Sequence, residues 1–294
     1  METVPAKTIV TKTKTPAGWF GADYNMNIYR GCSHGCIYCD SRSTCYQDPT
    51  FDTIKVKENA LQIIRNDLRR KAKRGVIATG SMSDPYNPLE RELRLTRNAL
   101  ELINAYDFGV AIATKGTLVT RDIDILSDIK ANSPVIVKMT ITTSVDELSK
   151  KIEPNAPTTS ERFNSLQQLT EAGIFCGVLM MPILPFVNDT KENIEGVLRQ
   201  AKEAGAKFVY PSFGMTLRTG NREYYYQKLD EFFPGVKQLY LKVYGDRYVC
   251  TSRNAKALQA LFISLCEKYG LLYGMKNITK SYKNGYSNRQ LSLL

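Results

Sequence analysis

Apolar runs and one-sided helical faces alternate along the first 214 residues. Short apolar, β-rich runs occupy residues 25–30 (NMNIYR), 76–81 (VIATGS), 108–114 (FGVAIAT), 134–143 (PVIVKMTITT), 173–184 (GIFCGVLMMPIL) and 206–214 (AKFVYPSFG). Between them, apolar residues recur at spacings of three and four, which gathers them on one side of a helix. Val56, Ala60, Leu61, Ile64 and Leu68 mark such a face over about residues 55–74, and Leu89, Leu93, Leu100 and Ile103 mark the next. A short helix is predicted from Asp122 and another over residues 145–152. Thr159 or Ser160 is suited to cap a helix that buries Phe163, Leu166 and Leu169. Asn188 or Asp189 starts one with Ile194, Val197, Leu198 and Ala201 inward.

Six strand–helix units imply a parallel sheet with helices outside. Six are too few to close a (β/α)8 barrel, so the expected fold is α/β, a partial, open (β/α)6 barrel with parallel strands and a C-terminal extension. The expected division is an N-terminal arm over residues 1–20, the barrel over 21–235 and a helical or irregular extension over 236–294. The alternation breaks after residue 214, where NREYYYQKLDEFF and an amphipathic helix at about 254–269 stand instead. In barrels of this kind the chemistry lies at the C-terminal ends of the strands. The residues just after each strand are therefore the informative ones.

Charge and cysteine content narrow the partners. Forty Lys and Arg against 29 Asp and Glu give a net charge of +11. That excess favours a polyanion such as nucleic acid, with a solvated basic surface as the plain alternative. No run of 18 apolar residues is present, which argues against a membrane-spanning helix. The first 20 residues lack the apolar core of a secretory signal, so a cytoplasmic location is expected. Seven cysteines, an odd number, argue against a disulfide framework.

Cys32, Cys36, Cys39 and Cys45 fall within 14 residues. The first three form Cys-x3-Cys-x2-Cys in a loop after a strand. Structural zinc prefers four ligands, commonly two separated pairs, and no second pair exists here. Three thiolates suit a [4Fe-4S] cluster with three irons tied to protein and the fourth open to an outside ligand. His34, the only histidine, lies two residues from Cys32 and is poorly placed to complete a tetrahedral set. A zinc knuckle or an inert loop is the alternative.

The stretch YRGCSHGCIYC, with aromatic Tyr38 just before the third cysteine, resembles the hallmark of radical S-adenosylmethionine (SAM) enzymes. The resemblance extends to the spore photoproduct lyase-like subgroup through TGSMSDPYNPLERELRLTRNALELI, ATKGTLVTRDIDIL, IEPNAPTTSERFNSLQQLTEAGIFCGVLMMPILPFVND and AKFVYPSFG, most of residues 24–214. It implies that Cys32, Cys36 and Cys39 hold the cluster and that its open iron chelates SAM. It also implies reductive cleavage to a 5′-deoxyadenosyl radical, with an electron donor such as flavodoxin or ferredoxin. Tyr38 takes the position that packs against the adenine. Ser83 and Asp84 follow the second strand, where a hydroxyl and a carboxylate suit an ammonium group; the resemblance assigns them the amino group of SAM, and a turn with a helix cap is the bland reading. Lys115, at the end of the third strand, is implied to meet the SAM carboxylate. Thr140, Thr142 and Thr143 end the fourth strand, and one of them suits the ribose. Glu153 and Arg162 match subgroup positions, as an ion pair ordering a loop over the cofactor or as a plain structural bridge.

The chain departs from true spore photoproduct lyases at one informative place. Those resemble Cys-x-Ser-Asp at the second strand end, where the cysteine gives a hydrogen atom; here the stretch is Ser81-Met82-Ser83-Asp84. A serine O–H bond is too strong for that role, so thymine-dimer repair is not expected. Cys45, Cys176 or a tyrosine is left as a substitute donor, and no catalytic residue is assigned. Three functions follow. One is a radical SAM enzyme on nucleic acid or a nucleotide, served by the basic run of residues 65–74 or by the tail at 276–289 with Tyr282 and Tyr286 as stacking rings. The second is a radical SAM enzyme on a peptide or small molecule, with a pocket lined by Tyr210, Phe213 or Met215. The third is a non-catalytic metal-binding module.

Overall fold

Five of the six apolar runs each carry one barrel strand, but the first, residues 25–30, is divided between two short strands, Tyr24–Met26 and Tyr29–Arg30, that lie in different sheets. The computed structural model describes residues 2–14 and 19–286. The chain opens with β1 (Glu2–Val4), β2 (Val10–Lys12), β3 (Tyr24–Met26) and β4 (Tyr29–Arg30). A long loop leads to β5 (Lys55–Lys57) and α1 (Ala60–Arg69). The alternation then runs β6 (Val76–Thr79), α2 (Glu90–Leu93), α3 (Leu95–Ala105), β7 (Gly109–Thr114), α4 (Ile123–Asn132) and β8 (Val135–Thr140). It continues with α5 (Asp146–Ile152), α6 (Thr159–Glu171), β9 (Cys176–Met180), α7 (Lys191–Glu203) and β10 (Phe208–Pro211). The remainder is β11 (Gly214–Thr216), α8 (Asn221–Phe232), α9 (Val236–Tyr244), β12 (Val249–Thr251), α10 (Ala255–Tyr269) and α11 (Met275–Lys283).

Seven strands form one open sheet in the order β10-β9-β8-β7-β6-β3-β2. The six from β10 to β3 are parallel, as the sequence pattern requires. The seventh, β2, comes from the N-terminal arm and pairs antiparallel with β3. Asp67 on α1 pins it by accepting from the Ile9 and Val10 amides at 2.8 and 2.9 Å. Alternate residues divide the sheet's two faces. Ile77, Val110, Ile112, Val137, Met139 and Val178 pack against the helices. Ala78, Ala111, Ile136 and Leu179 face the barrel interior with Phe20, Phe208 and Tyr282.

Several local expectations are corrected. Residues 55–57 are strand, because β5 pairs with both β1 and β4, and the helix begins only at Ala60. Thr158, not Thr159 or Ser160, caps α6, in a reciprocal pair with Glu161. Thr159 is instead buried and donates to the Thr143 carbonyl at 2.9 Å. Thr190 caps α7, since Asn188 and Asp189 are occupied in the loop before it.

The region after residue 213 contributes a second core. β11 and β12 pair antiparallel, and Tyr225, Tyr226, Tyr240 and Tyr244 of α8 and α9 cluster with Cys36, Ile37 and Tyr38. The tyrosine-rich stretch thus backs the cysteine loop. Tyr210, Phe213 and Met215 pack into three different clusters. Tyr282 is buried and donates to the Phe20 carbonyl at 2.7 Å, and Tyr286 donates to that of Lys130 at 2.6 Å. The tail is docked through these hydroxyls, and the Tyr282 ring, 3% exposed, has no face open to a base; residues 287–289 lie outside the described residues. Residues 65–74 precede β6 and so lie at the N-terminal ends of the strands, opposite the cysteine loop. There Lys71 and Arg74 pack over the rings of Tyr24 and Phe108.

Candidate active site

The cysteine loop leaves β4 through Gly31, whose φ of +79° and tight surroundings admit no side chain. A Cβ there would fall 2.2 Å from the Thr53 carbonyl oxygen. The turn lets the Cys32 amide reach the Phe51 carbonyl at 2.8 Å. The residues after α5 hold the loop from the other side. Ile37 N–H donates to the Ile152 carbonyl at 3.0 Å, and Asn155 N–H to that of His34 at 3.1 Å. Asn155 Nδ2 reaches the Ser33 carbonyl at 3.0 Å. Cys36 is buried and Cys32 and Cys39 are half-buried, all three as free thiols. Burial pushes the Cys32 thiol up to about 11 and that of Cys36 to about 12.

Asp84 is the knot of the site. Oδ2 accepts from His34 Nε2 at 3.0 Å and the Lys115 amide at 2.7 Å. Oδ1 accepts from Thr114 Oγ1 at 2.6 Å and the Tyr86 amide at 2.9 Å. A carboxylate has about four acceptor positions, and all are taken. Burial opposes its charge, yet His34, Thr114 and the Lys115 amide hold its pKa down at about 2. Asp84 thereby ties the cysteine loop to the ends of β6 and β7. Ser83 is different. It donates to the Gly31 carbonyl, which leaves its oxygen lone pairs available.

A second buried network fixes Tyr38. Its hydroxyl donates to Glu153, and Glu153 is ion-paired with Arg162. Glu153 and Arg162 are both essentially solvent-free. Arg162 also donates to the Thr140 carbonyl at 2.7 Å, Ser149 Oγ at 2.8 Å and the Pro157 carbonyl at 2.8 Å. The pair thus links the end of β8 to the aromatic position of the cysteine loop. Lys115 Nζ lies 5.7 Å from the Tyr38 ring centroid. Burial works against its charge, but Cys36 and Glu153 outweigh burial and raise its pKa above the usual lysine range.

The threonines separate as well. Thr142 Oγ1 is buried without a partner among the described residues, while its carbonyl accepts from Asn188 and Asn193. Thr143 Oγ1 accepts from the Val145 amide at 3.3 Å, a local turn contact. Cys176 is fully buried on the helix side of β9, which removes it as a hydrogen-atom donor. Cys45 is exposed, with Arg218 Nη1 3.3 Å from its sulfur.

These residues fit a cluster better than a single ion. Among the described residues, no three His, Cys, Asp or Glu side chains converge closely enough to hold one metal ion. Zinc needs its ligands about 2.0–2.3 Å from a single point, whereas a cluster gives each thiolate its own iron. The sequence did not reveal His34, Thr114 and Asn155 as loop anchors. The one available signal was a lone histidine inside a cysteine loop.

Residues 26–201 match the model of the radical SAM superfamily. An uncharacterized protein of Mycobacterium tuberculosis is 33% identical over 255 residues, 84% of this chain and 75% of its own length. An uncharacterized protein of Methanocaldococcus jannaschii is 36% identical over 191 residues, 64% of this chain and 69% of its own. Among solved structures, spore photoproduct lyase complexed with dinucleoside spore photoproduct superposes with a TM-score of 0.66 at 17% identity, covering 90% of this chain and 78% of that one. The likeness lies in the fold.

Proposed function

This chain belongs to the radical SAM superfamily, whose cofactors are a [4Fe-4S] cluster and SAM, and we propose that Cys32, Cys36 and Cys39 hold the cluster while Ser83, Lys115 and Thr142 seat SAM. When bound, the cluster supplies the electron that cleaves SAM to methionine and a 5′-deoxyadenosyl radical, which abstracts hydrogen from substrate. The observation that carries the assignment is Lys115, a half-buried cation at a strand end whose ammonium lies 5.7 Å from the ring centroid of Tyr38 in the cysteine loop. It meets the SAM carboxylate, while the Ser83 oxygen accepts from the ammonium and the unpartnered Thr142 hydroxyl takes a ribose hydroxyl. Asp84 acts by position, holding the Lys115 backbone and His34. Glu153 and Arg162 fix the Tyr38 ring against which the adenine packs. Thr143 is left a structural turn residue.

Anaerobic reconstitution tests this reading. It predicts about four irons and four sulfides per chain, and dithionite-driven release of 5′-deoxyadenosine from SAM. Serine at Cys32, Cys36 or Cys39 removes both, and stoichiometric zinc without iron would overturn the assignment. The +11 charge supports nucleic acid or a nucleotide as the substrate class, with reducing equivalents from a flavodoxin- or ferredoxin-type donor. Nucleic-acid affinity should then fall steeply with salt, by about 10³-fold or more between about 50 and 200 mM. Flat or absent binding points to a peptide or small molecule instead. Ser81 supports one exclusion: no efficient conversion of spore photoproduct to two thymines, even where DNA binds.

A further inference from the structure

The small sheet of β1, β5 and β4 carries a cationic face. β4 and β5 pair with Arg30 opposite Lys55, and alternation puts Lys57 on the same side. Between this face and the cysteine loop lies a cleft of about 420 Å³, within the size range of small-ligand sites. None of the three loop cysteines lines it, nor does Lys115, so it is separate from the SAM site. Gly31 and Met82 form part of its wall, next in sequence to Cys32 and Ser83.

Charge in the cleft does not cancel. Its one carboxylate, Asp48, is held by Lys55 Nζ at 2.6 Å and by Arg30 Nε at 3.0 Å. Arg30 Nη2 donates to the Gln47 carbonyl at 2.9 Å, which leaves Nη1 unpaired among the described residues. Lys57 Nζ has no acceptor among the described residues. Burial, then the facing Arg30, pushes its pKa below the usual lysine range. Like charges held together are relieved by an anion between them. Phe51 supplies an aromatic wall.

We propose that this cleft binds a phosphate monoester, with the dianion between Arg30 Nη1 and Lys57 Nζ. A dianion satisfies both cations, which a single carboxylate charge does not. The site does not depend on the cluster reading, and its test uses a separate observable. Inorganic phosphate is titrated into the full-length reconstituted protein and followed by calorimetry and 31P line width. Acetate is titrated in parallel. Saturable phosphate binding is expected, weakened about tenfold or more in Lys57→Met and in Arg30→Met, and largely kept in Lys57→Arg. Iron content and SAM cleavage should be unchanged in Lys57→Met. The proposal is overturned by any of three results: no saturation below about 20 mM phosphate, equal affinity in Lys57→Met and wild type, or acetate binding as tightly as phosphate.

Discussion

The mouth and the interior of the barrel each hold a lysine, on neighbouring strands, and treat it in opposite ways. Lys115, at the end of β7, sits among Cys36 and Glu153, which hold it charged against its burial. Lys138, within β8, is 1% exposed on the interior face; its ammonium lies 4.8 Å from the Phe20 ring centroid and has no acidic partner among the described residues. Burial alone drags its pKa down to about 7. Residue type is shared; the two differ in depth, Lys115 being half-buried and Lys138 nearly solvent-free, and in whether an acid stands beside the cation. A buried charge with a partner is a positioned tool; one without a partner is a standing cost.

The largest effect should come from breaking the mouth's network. Arg162→Met leaves Glu153 buried and unpaired and frees the Tyr38 anchor, which predicts a loss of ~3–5 kcal/mol in denaturant unfolding. A loss below about 1 kcal/mol would show that the pair does not support the loop.

Lys138→Met should act in the opposite direction. It removes an unsupported buried charge at little cost in volume and is expected to stabilise the protein by ~2–4 kcal/mol at pH 7. The pH dependence fixes the sign. With its folded value near 7 and its ordinary value at 10.5, the unfolded chain binds more protons between these limits. The wild-type penalty is complete below about pH 7 and fades as pH rises toward 10.5. The advantage of the variant should therefore shrink between about pH 7 and 9. A gap that does not change with pH would mean that Lys138 finds an anion in solution.

Lys115→Met sharpens the contrast, since the same change at the mouth should remove function rather than a burden. SAM affinity is expected to fall by ~1.5–3 kcal/mol with iron content and cluster spectrum intact. Unchanged SAM cleavage kinetics would move the carboxylate contact elsewhere. The smallest effect belongs to the tail: Tyr282→Phe deletes one buried hydrogen bond to the Phe20 carbonyl and should cost ~0.5–1.5 kcal/mol by thermal melt. SAM binding should not change.

The six parallel strands, the cysteine loop after a strand, and Lys115 at a strand end were all legible as local pattern. Apolar periodicity marks what must be buried, and strand order carries polar residues to one end of the sheet. The spacing of Cys32, Cys36 and Cys39 by itself restricts the donor set. Other features had no local signature. The N-terminal strands depend on partners more than ten residues away, Val10 on Met26 and Thr3 on Val56. Asp84 looked free to take a ligand until His34, Thr114, Tyr86 and Lys115 were seen to fill its four acceptor positions. Thr142 and Thr143 are adjacent and alike in sequence, and only the turn at Val145 separates a spare hydroxyl from a used one. The sequence by itself determined which residue types stand at the strand ends. Tertiary structure decided which of their hydrogen-bonding positions and charges are already spent, because that accounting depends on neighbours brought together by folding.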